Sequence, residues 1–569
     1  MRLAVGLLAA IWSLSARAEV RFQIDLSNAS HLYDHSVEIS MVVEHAASPL
    51  ILWMPVWTPG AYELRTWGRN VTPVSATAKD AALTFHRVDP SRFEVDGHQP
   101  GDTVRLIYRV YAPLLSDDSS QIDASHAYLN GSSIFLTNAE SLDKKQRVEL
   151  SLPTGWKIAT ALTPAENSFT AVDYQELIDA PIEAGKFVER TRTQHGITIR
   201  VAVHGDAQSS GDPVPIHFFD RVFALLDAEI KHVGAAPFHN YLILIHRSNV
   251  LGKLAALEHA RSCSIVLPAD EREEVVIELY YAIAHEMFHA WNARKLRPAD
   301  LTPYDLTRIQ TSRSLWFSEG FSDYYAHLVM RETELWSDGK YRARLSEQLT
   351  RAAEVADSGL TAAESSQLAW QVPDELAEDT AFYARGQVIA YGLDAAIRQQ
   401  SGGKRSLDDV MKNLLSQTSR GPLAVDGAVL TRAVESISGP TVAKYVRAWS
   451  ENPREVDAIA LATNRSFTCR SDPPKPELGF GVGEDDDHLS IAILQPGGPA
   501  AIAGLKVGDR IVSIDGVEVS DPAFKSKSQW KANKPLRLRV IRLGEPLDFP
   551  LTPRERSHRH CELSGPEAR

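Results

Sequence analysis

The chain has 569 residues, more than a single hydrophobic core organises, so three or four domains are expected. Apolar residues at 44% and charged residues at 23% are the proportions of a soluble globular protein. The net charge of -13 argues against nucleic acid or an anionic membrane as the main partner.

Residues 1–18, "MRLAVGLLAAIWSLSARA", place Arg2 before an apolar run, Leu3 to Leu14, and end in Ala16-Arg17-Ala18. That is the layout of a secretory signal, and the run is too short to span a bilayer, which needs about 20 residues. Export, to a periplasm in a Gram-negative source, is expected, with no membrane span in the mature chain. Residues 19–170 alternate apolar and polar positions, as in "RFQIDL", "SVEISMVVEH", "TVRLIYRVYA" and "RVELSLP", with turns such as Thr58-Pro59-Gly60 between them. A β-sandwich or saddle-shaped sheet follows from that pattern. The stretch "GITIRVAVHG" reads as a strand, "FFDRVFALLDAEIKHVG" as a helix and "YLILIH" as a buried strand.

From about 272 to 450 the period becomes helical. "EEVVIELYYAIAHEMFHAWN" and "SLWFSEGFSDYYAHLVMRET" are the two strongest helices, followed by "GQVIAYGLDAAIRQQ" and "SLDDVMKNLLSQ". "SDPPKPE", 471–477, reads as a linker, short strands and glycines run on to about 553, and a loose polar tail is expected from Arg554. Of the three cysteines, Cys469 and Cys561 flank this last region and could staple its ends; two free thiols are the alternative.

The chemistry is concentrated in "AIAHEMFHAWN", 282–292. On a helix, His285 and His289 share a face and can offer two nitrogens to one metal ion, with Glu286 placed to act on a water there. A catalytic zinc needs a third protein ligand. Glu319, thirty residues on (319 − 289), stands on the next strong helix, with Asp323 one turn further to accept a hydrogen bond from a ligating histidine.

This arrangement is similar to the thermolysin-like peptidases that take a glutamate as third ligand, and resembles most closely the glycyl aminopeptidase family, metallopeptidase family sixty-one. Matching segments are "WMPVWTPGAYELRTWGRNV" (53–71), "IDAPIEAG" (178–185), "LAALEHARS" (254–262), "HEMFHAWNARKLRPADL", "LWFSEGFSDYY" and "FYARG" (382–386). The resemblance implies a multidomain α+β chain: an N-terminal β-domain over 19–170, a thermolysin-like, mainly α catalytic domain over 171–455 with a β-rich start, a PDZ domain over 474–553 and a tail over 554–569. It implies one Zn2+ per chain on His285, His289 and Glu319, with Glu286 as general base. Glu258, after Ala256 and Leu257, is implied to hold the substrate's free α-amino group, and Tyr383 to hydrogen-bond the oxyanion. Two departures stand out. Ala255 and Ala256 replace the family's two glycines, and Arg385 replaces a lysine, keeping the charge but not the shape.

"ELGFGVGEDDDHLSIAIL" and "GGPAAIAGLKVGDRIVSIDG" resemble a PDZ domain, with Leu478, Gly479, Phe480 and Gly481 where such domains bind a chain-terminal carboxylate. The function expected is an exported zinc aminopeptidase acting on peptides with free N-termini, small residues first. A zinc endopeptidase, or a PDZ-led peptide-binding scaffold, is the alternative.

Overall fold

The computed structural model describes residues 19–205, 213–249, 254–269, 272–355, 359–371, 381–463, 467–485, 488–495, 498–521, 530–556 and 559–563. The expected signal segment, 1–18, lies outside the described residues, as do residues 522–529 of the expected PDZ domain. The architecture is α+β, with an N-terminal β-sheet domain, a helical middle region and a C-terminal β-domain. Two compact units divide it. One comprises Met1–Arg297, Leu301–Gln310 and Thr418–Pro422; the other comprises Pro298–Asp300, Thr311–Gln417 and Leu423–Arg569.

In the first unit an eight-stranded sheet is built around Glu19–Asp25, which pairs in parallel with Lys145–Ser151 and antiparallel with Ser36–Val43. The alternation seen in sequence is used as expected: Val37, Ile39, Met41 and Val43 all point into the core. A second, five-stranded sheet follows. Ile197–His204, Asn240–Arg247 and Ser262–Leu267 run parallel at its centre. Asn240–Arg247 is buried from Tyr241 to Arg247, which explains its unbroken apolar run "YLILI": a parallel strand has no solvent face. The helix Phe218–Val233 carries the chain between the first two of these strands. Ala255–Glu258 forms one edge, antiparallel to Ser262–Leu267, with Glu258 opposite the buried, unbridged Cys263. Beside the sheet lies the helix Glu273–Phe288, whose Tyr280 ring is 6.0 Å from Phe218.

The second unit is organised by two helices, Leu315–Glu332 and Phe382–Ser401. Fifteen of the 18 residues of the former are buried, so its polar residues are interior groups. The two helices cross at Gly320 and Gly386, where a Cβ built on Gly386 would lie 1.8 Å from the Trp316 carbonyl oxygen. Only glycine permits that approach. Arg385, on the same turn, is fully buried. Its guanidinium donates two bonds of 2.7 Å to Glu455 and others to the Leu360 and Asn452 carbonyls and the Ser365 hydroxyl. A lysine could not make that fork.

The C-terminal sheet runs Phe480–Asp485, His488–Leu494, Arg510–Ile514, Leu536–Arg542, Glu545–Leu551 around a core of Ile491, Leu505, Ile511, Ile514, Leu538 and Val540. Asp509 of the Gly-Asp motif is buried against Arg542 at 2.6 and 2.7 Å. The expected loose tail is corrected. Arg554–Arg556 pairs with Lys475–Glu477, and Arg559–Leu563 with Phe467–Ser471. Cys469 lies directly opposite Cys561, and the two form a disulfide. The Cys561 backbone also exchanges hydrogen bonds with the Thr350 hydroxyl. The polar composition hid a ladder whose partner is almost a hundred residues away. No helix among the described residues is long and apolar enough to cross a membrane.

Candidate active site

Glu273 and Glu274 occupy the first turn of Glu273–Phe288, where the helix dipole favours negative charge, and Leu279, Ile283 and Met287 fix its buried face. His285 and His289, one turn apart, bring their Nε2 atoms to 2.9 Å, with the ring planes at 81°. The helix ends at Phe288, and His289 is its capping residue. The chain then turns so that the Asn292 carbonyl lies 2.8 Å from His289 Nδ1. With Nδ1–H donating to that carbonyl, the Nε2 lone pair is the one a metal would meet.

Glu258, at the end of the edge strand, is the residue that the fold brings to this pair. Its carboxylate, that of Glu286 and the His289 ring offer atoms all within 4.8 Å of one another, and all three side chains are buried. Arg261, the nearest arginine in the sequence, bonds Glu176. The guanidinium at Glu258 is that of Arg294. It donates to the Glu258 carbonyl at 2.5 Å and lies 3.6 Å from Oε1, while reaching Asp179 at 3.3 Å. Asp179 in turn accepts from the Ala260 N–H at 2.9 Å. Burial acts to raise the Asp179 carboxyl, but Arg294 and His259 outweigh it and hold it below the usual range. The turn after Glu258 is thus pinned at both ends.

Gly60, in the Thr-Pro-Gly stretch of the N-terminal domain, sits directly on Glu258. A Cβ there would be 2.3 Å from Glu258 Oε2. Trp57, in the same stretch, is buried and donates to the Asp305 carbonyl at 2.9 Å. Glu229, on Phe218–Val233, was missed. Burial pushes its carboxyl well above the ordinary range, with His285 pulling the other way. Neither oxygen has a hydrogen-bond partner among the described residues. On the edge strand, Leu257 is buried and Ala255 and Ala256 are half-buried. Gly60, Asp179 and Arg294 all lie in segments that stood out in sequence, but their side-chain roles depend on contacts between distant parts of the chain.

In the second unit Glu319 is 2% exposed and Asp323 is buried one turn later on the same helix, with Ser318, Ser322 and His327 buried around them. Tyr383, the second residue of Phe382–Ser401, is 37% exposed, so it is not a core aromatic. Leu478–Gly481 leads into the C-terminal sheet, with Gly479 at φ 77°.

Residues 278–389 match the family model for the M61 glycyl aminopeptidase, and residues 21–186 match that for the peptidase M61 N-terminal domain. The chain belongs to the M61 glycyl aminopeptidase family. It is a zinc metallopeptidase of that family, and residues 491–532 match a PDZ domain model. The catalytic match holds His285, Glu286, His289, Glu319, Asp323 and Tyr383; Glu258 falls between the two M61 matches. A crystal structure of an aminopeptidase N family protein from Idiomarina loihiensis shares the fold, with TM-score 0.78 and 22% identity over 96% of this chain and 98% of that one. An M1 zinc metallopeptidase from Deinococcus radiodurans is a more distant likeness, with TM-score 0.49 and 17% identity over 77% of this chain and 94% of that one.

The donors of this M61 peptidase fit a zinc ion. Within the first unit, His285 and His289 converge on one another through Nε2, as two donors to one zinc ion would. A second His–Glu group, His126, Glu183 and His204, offers ligand atoms within 4.8 Å but does not fit. The His126 and His204 rings lie parallel, 7° apart at 3.7 Å, so no ion can sit in both ring planes. There Glu183 accepts from His126 at 3.0 Å and from His246 at 2.9 Å. Burial acts to raise Glu183, but the two histidines outweigh it and bring it to about 2. Burial and His126 lower His204 to about 4.

Proposed function

We propose that this M61 peptidase is an exported aminopeptidase that removes small N-terminal residues from peptides. His285, His289 and Glu319 would hold zinc, with Asp323 orienting a ligating histidine. The observation that carries the reading is the closeness of Glu258 to Glu286 and His289, all within 4.8 Å. Extended chain advances only about 3.3–3.6 Å per residue. An ammonium held by Glu258 therefore leaves room for one residue before the hydrolytic centre.

The edge strand Ala255–Glu258 gives an extended peptide a backbone to pair with. Zinc, when bound, supplies Lewis-acid activation of water and of the scissile carbonyl. Glu286 takes the proton of the attacking water and passes it to the leaving amine. Tyr383 donates a hydrogen bond to the oxyanion. Gly60 lies directly against the Glu258 carboxylate, which crowds the first subsite and supports a preference for glycine or alanine. The Cys469–Cys561 disulfide supports an oxidising compartment and hence export. The loop Leu478–Gly481 would take a chain-terminal carboxylate in the manner of PDZ domains.

One observation favours the endopeptidase reading: Arg294, 3.6 Å from Glu258 Oε1, already offers that carboxylate a cation. Asp179 shares the same guanidinium, however, so two carboxylates against one cation leave a negative charge for the substrate ammonium. Glu286→Gln tests the chemistry. It should retain stoichiometric zinc and lose hydrolysis by about 10²–10⁴-fold; full activity in that variant ends the proposed mechanism.

A further inference from the structure

A cavity of about 420 Å³ lies in the first unit behind the turn that follows Glu258. Its walls are formed without Glu258, Glu286 or either zinc-site histidine, although Ala290, next to His289, and Arg294 line it. The charges on the wall do not cancel. Glu176 is paired with Arg261, and Asp179 with Arg294. Asp173 caps the helix Tyr174–Ile178 by accepting from the Glu176 N–H at 2.7 Å. Two cations on the wall, Lys295 and Arg297, have no carboxylate within ion-pair distance among the described residues.

Arg297 is the unusual one. It is 6% exposed, and its Nε has no hydrogen-bond partner. Its guanidinium stacks on the Tyr304 ring at 4.1 Å. A ring face attracts a cation but accepts none of its in-plane N–H bonds. A buried guanidinium without an acceptor is strongly unfavourable, whereas a fork of N–H donors facing a cavity matches the two oxygens of a carboxylate or phosphate. The volume is that of a small-molecule site.

We propose that Arg297 and Lys295 form an anion subsite in this cavity, taking a small molecule that carries a carboxylate or phosphate. Arg294 lines the same cavity and also binds the Glu258 carbonyl, so the occupant would sit next to the residue that holds the amine anchor.

The test is thermal melting of the full-length, zinc-loaded protein titrated with sodium phosphate or sodium acetate, against chloride at equal ionic strength. At least one anion should raise Tm saturably by a few degrees. The rise should vanish in Arg297→Met and weaken in Lys295→Gln. A response to phosphate alone assigns a phosphate ligand, and a response to acetate alone a carboxylate. No response to either anion overturns the proposal. So does an equal response in Arg297→Met, which would place the anion elsewhere, the zinc included. Should Arg297→Met fail to fold, Arg297→Lys keeps the charge but not the fork. It should bind the responding anion at least several-fold more weakly, and unchanged binding overturns the proposal.

Discussion

Gly386→Ala tests whether the helix crossing positions the catalytic residues. The added methyl would lie 1.8 Å from the Trp316 carbonyl oxygen, 2.7 Å from its carbon and 3.0 Å from Gly320 Cα. Ordinary contact begins at 3.4 Å, so the helices must separate by 3.4 − 1.8 = 1.6 Å along that direction. All three neighbours are backbone atoms, and none can rotate aside. Overpacking of this kind costs about 1–3 kcal/mol, here at the upper end. The better helix propensity of alanine offsets roughly 1 kcal/mol. A net loss of about 2 kcal/mol is expected. The functional loss should be larger than the thermal one suggests. Glu319 immediately precedes Gly320, and Tyr383 is one turn before Gly386. Misplacement by about 1 Å can cost on the order of 100-fold in rate. Melting, zinc affinity and kcat/KM measured together give the assay. Gly427→Ala, at a helix start with nothing within 4 Å of the added Cβ, is the control and should be neutral. Wild-type melting and activity in Gly386→Ala would refute the reasoning.

Arg385→Lys should destabilise the chain by about 2 kcal/mol, because one ammonium cannot replace the two-pronged bond to buried Glu455; unchanged chemical denaturation would contradict this. Arg294→Gln should raise KM for free-amine peptides more than it lowers kcat, since Arg294 fixes the Glu258 backbone and side chain without entering the reaction. A fall confined to kcat would count against it. His204, lowered from 6.5 to about 4, takes up a proton more readily unfolded than folded. Its contribution to stability is therefore complete above pH 6.5 and is lost as pH falls toward 4. Wild type should lose up to about 3 kcal/mol relative to His204→Phe between pH 7 and pH 4. His126, Glu183, His246 and Asp123 surround it and are present in both proteins. Parallel pH profiles for the two would refute the reading.

The two catalytic helices could be read from sequence because their apolar spacing is helical and their functional residues repeat at one-turn intervals, His285 with His289 and Glu319 with Asp323. The C-terminal domain was equally readable, since glycine-bounded motifs such as Gly504-Leu505 and Asp515-Gly516 fix local turns. What escaped depends on contacts between distant segments. Arg294 follows the zinc motif by only a few residues, yet its function is visible only once Asp179 and Glu258 are brought to it. Gly60 read as an ordinary turn glycine; its contact with Glu258 spans almost two hundred residues. Arg559–Leu563 is too polar and short to announce a strand, and it becomes one through its ladder to Phe467–Ser471. Arg385 was noticed as a substitution for lysine, but Glu455, which explains it, carried no local signal.

The central claim is that Glu258 sets the cut one residue from a free N-terminus. The most direct measurement is the product profile of the zinc-loaded protein on matched free and N-acetylated peptides. The account predicts release of single residues, glycine and alanine first, from the free peptides. It predicts hydrolysis of the acetylated set slower by about 100-fold or more, because the buried carboxylate is then left without its ammonium partner. Internal cleavage of acetylated peptides at rates like those of the free ones would contradict it.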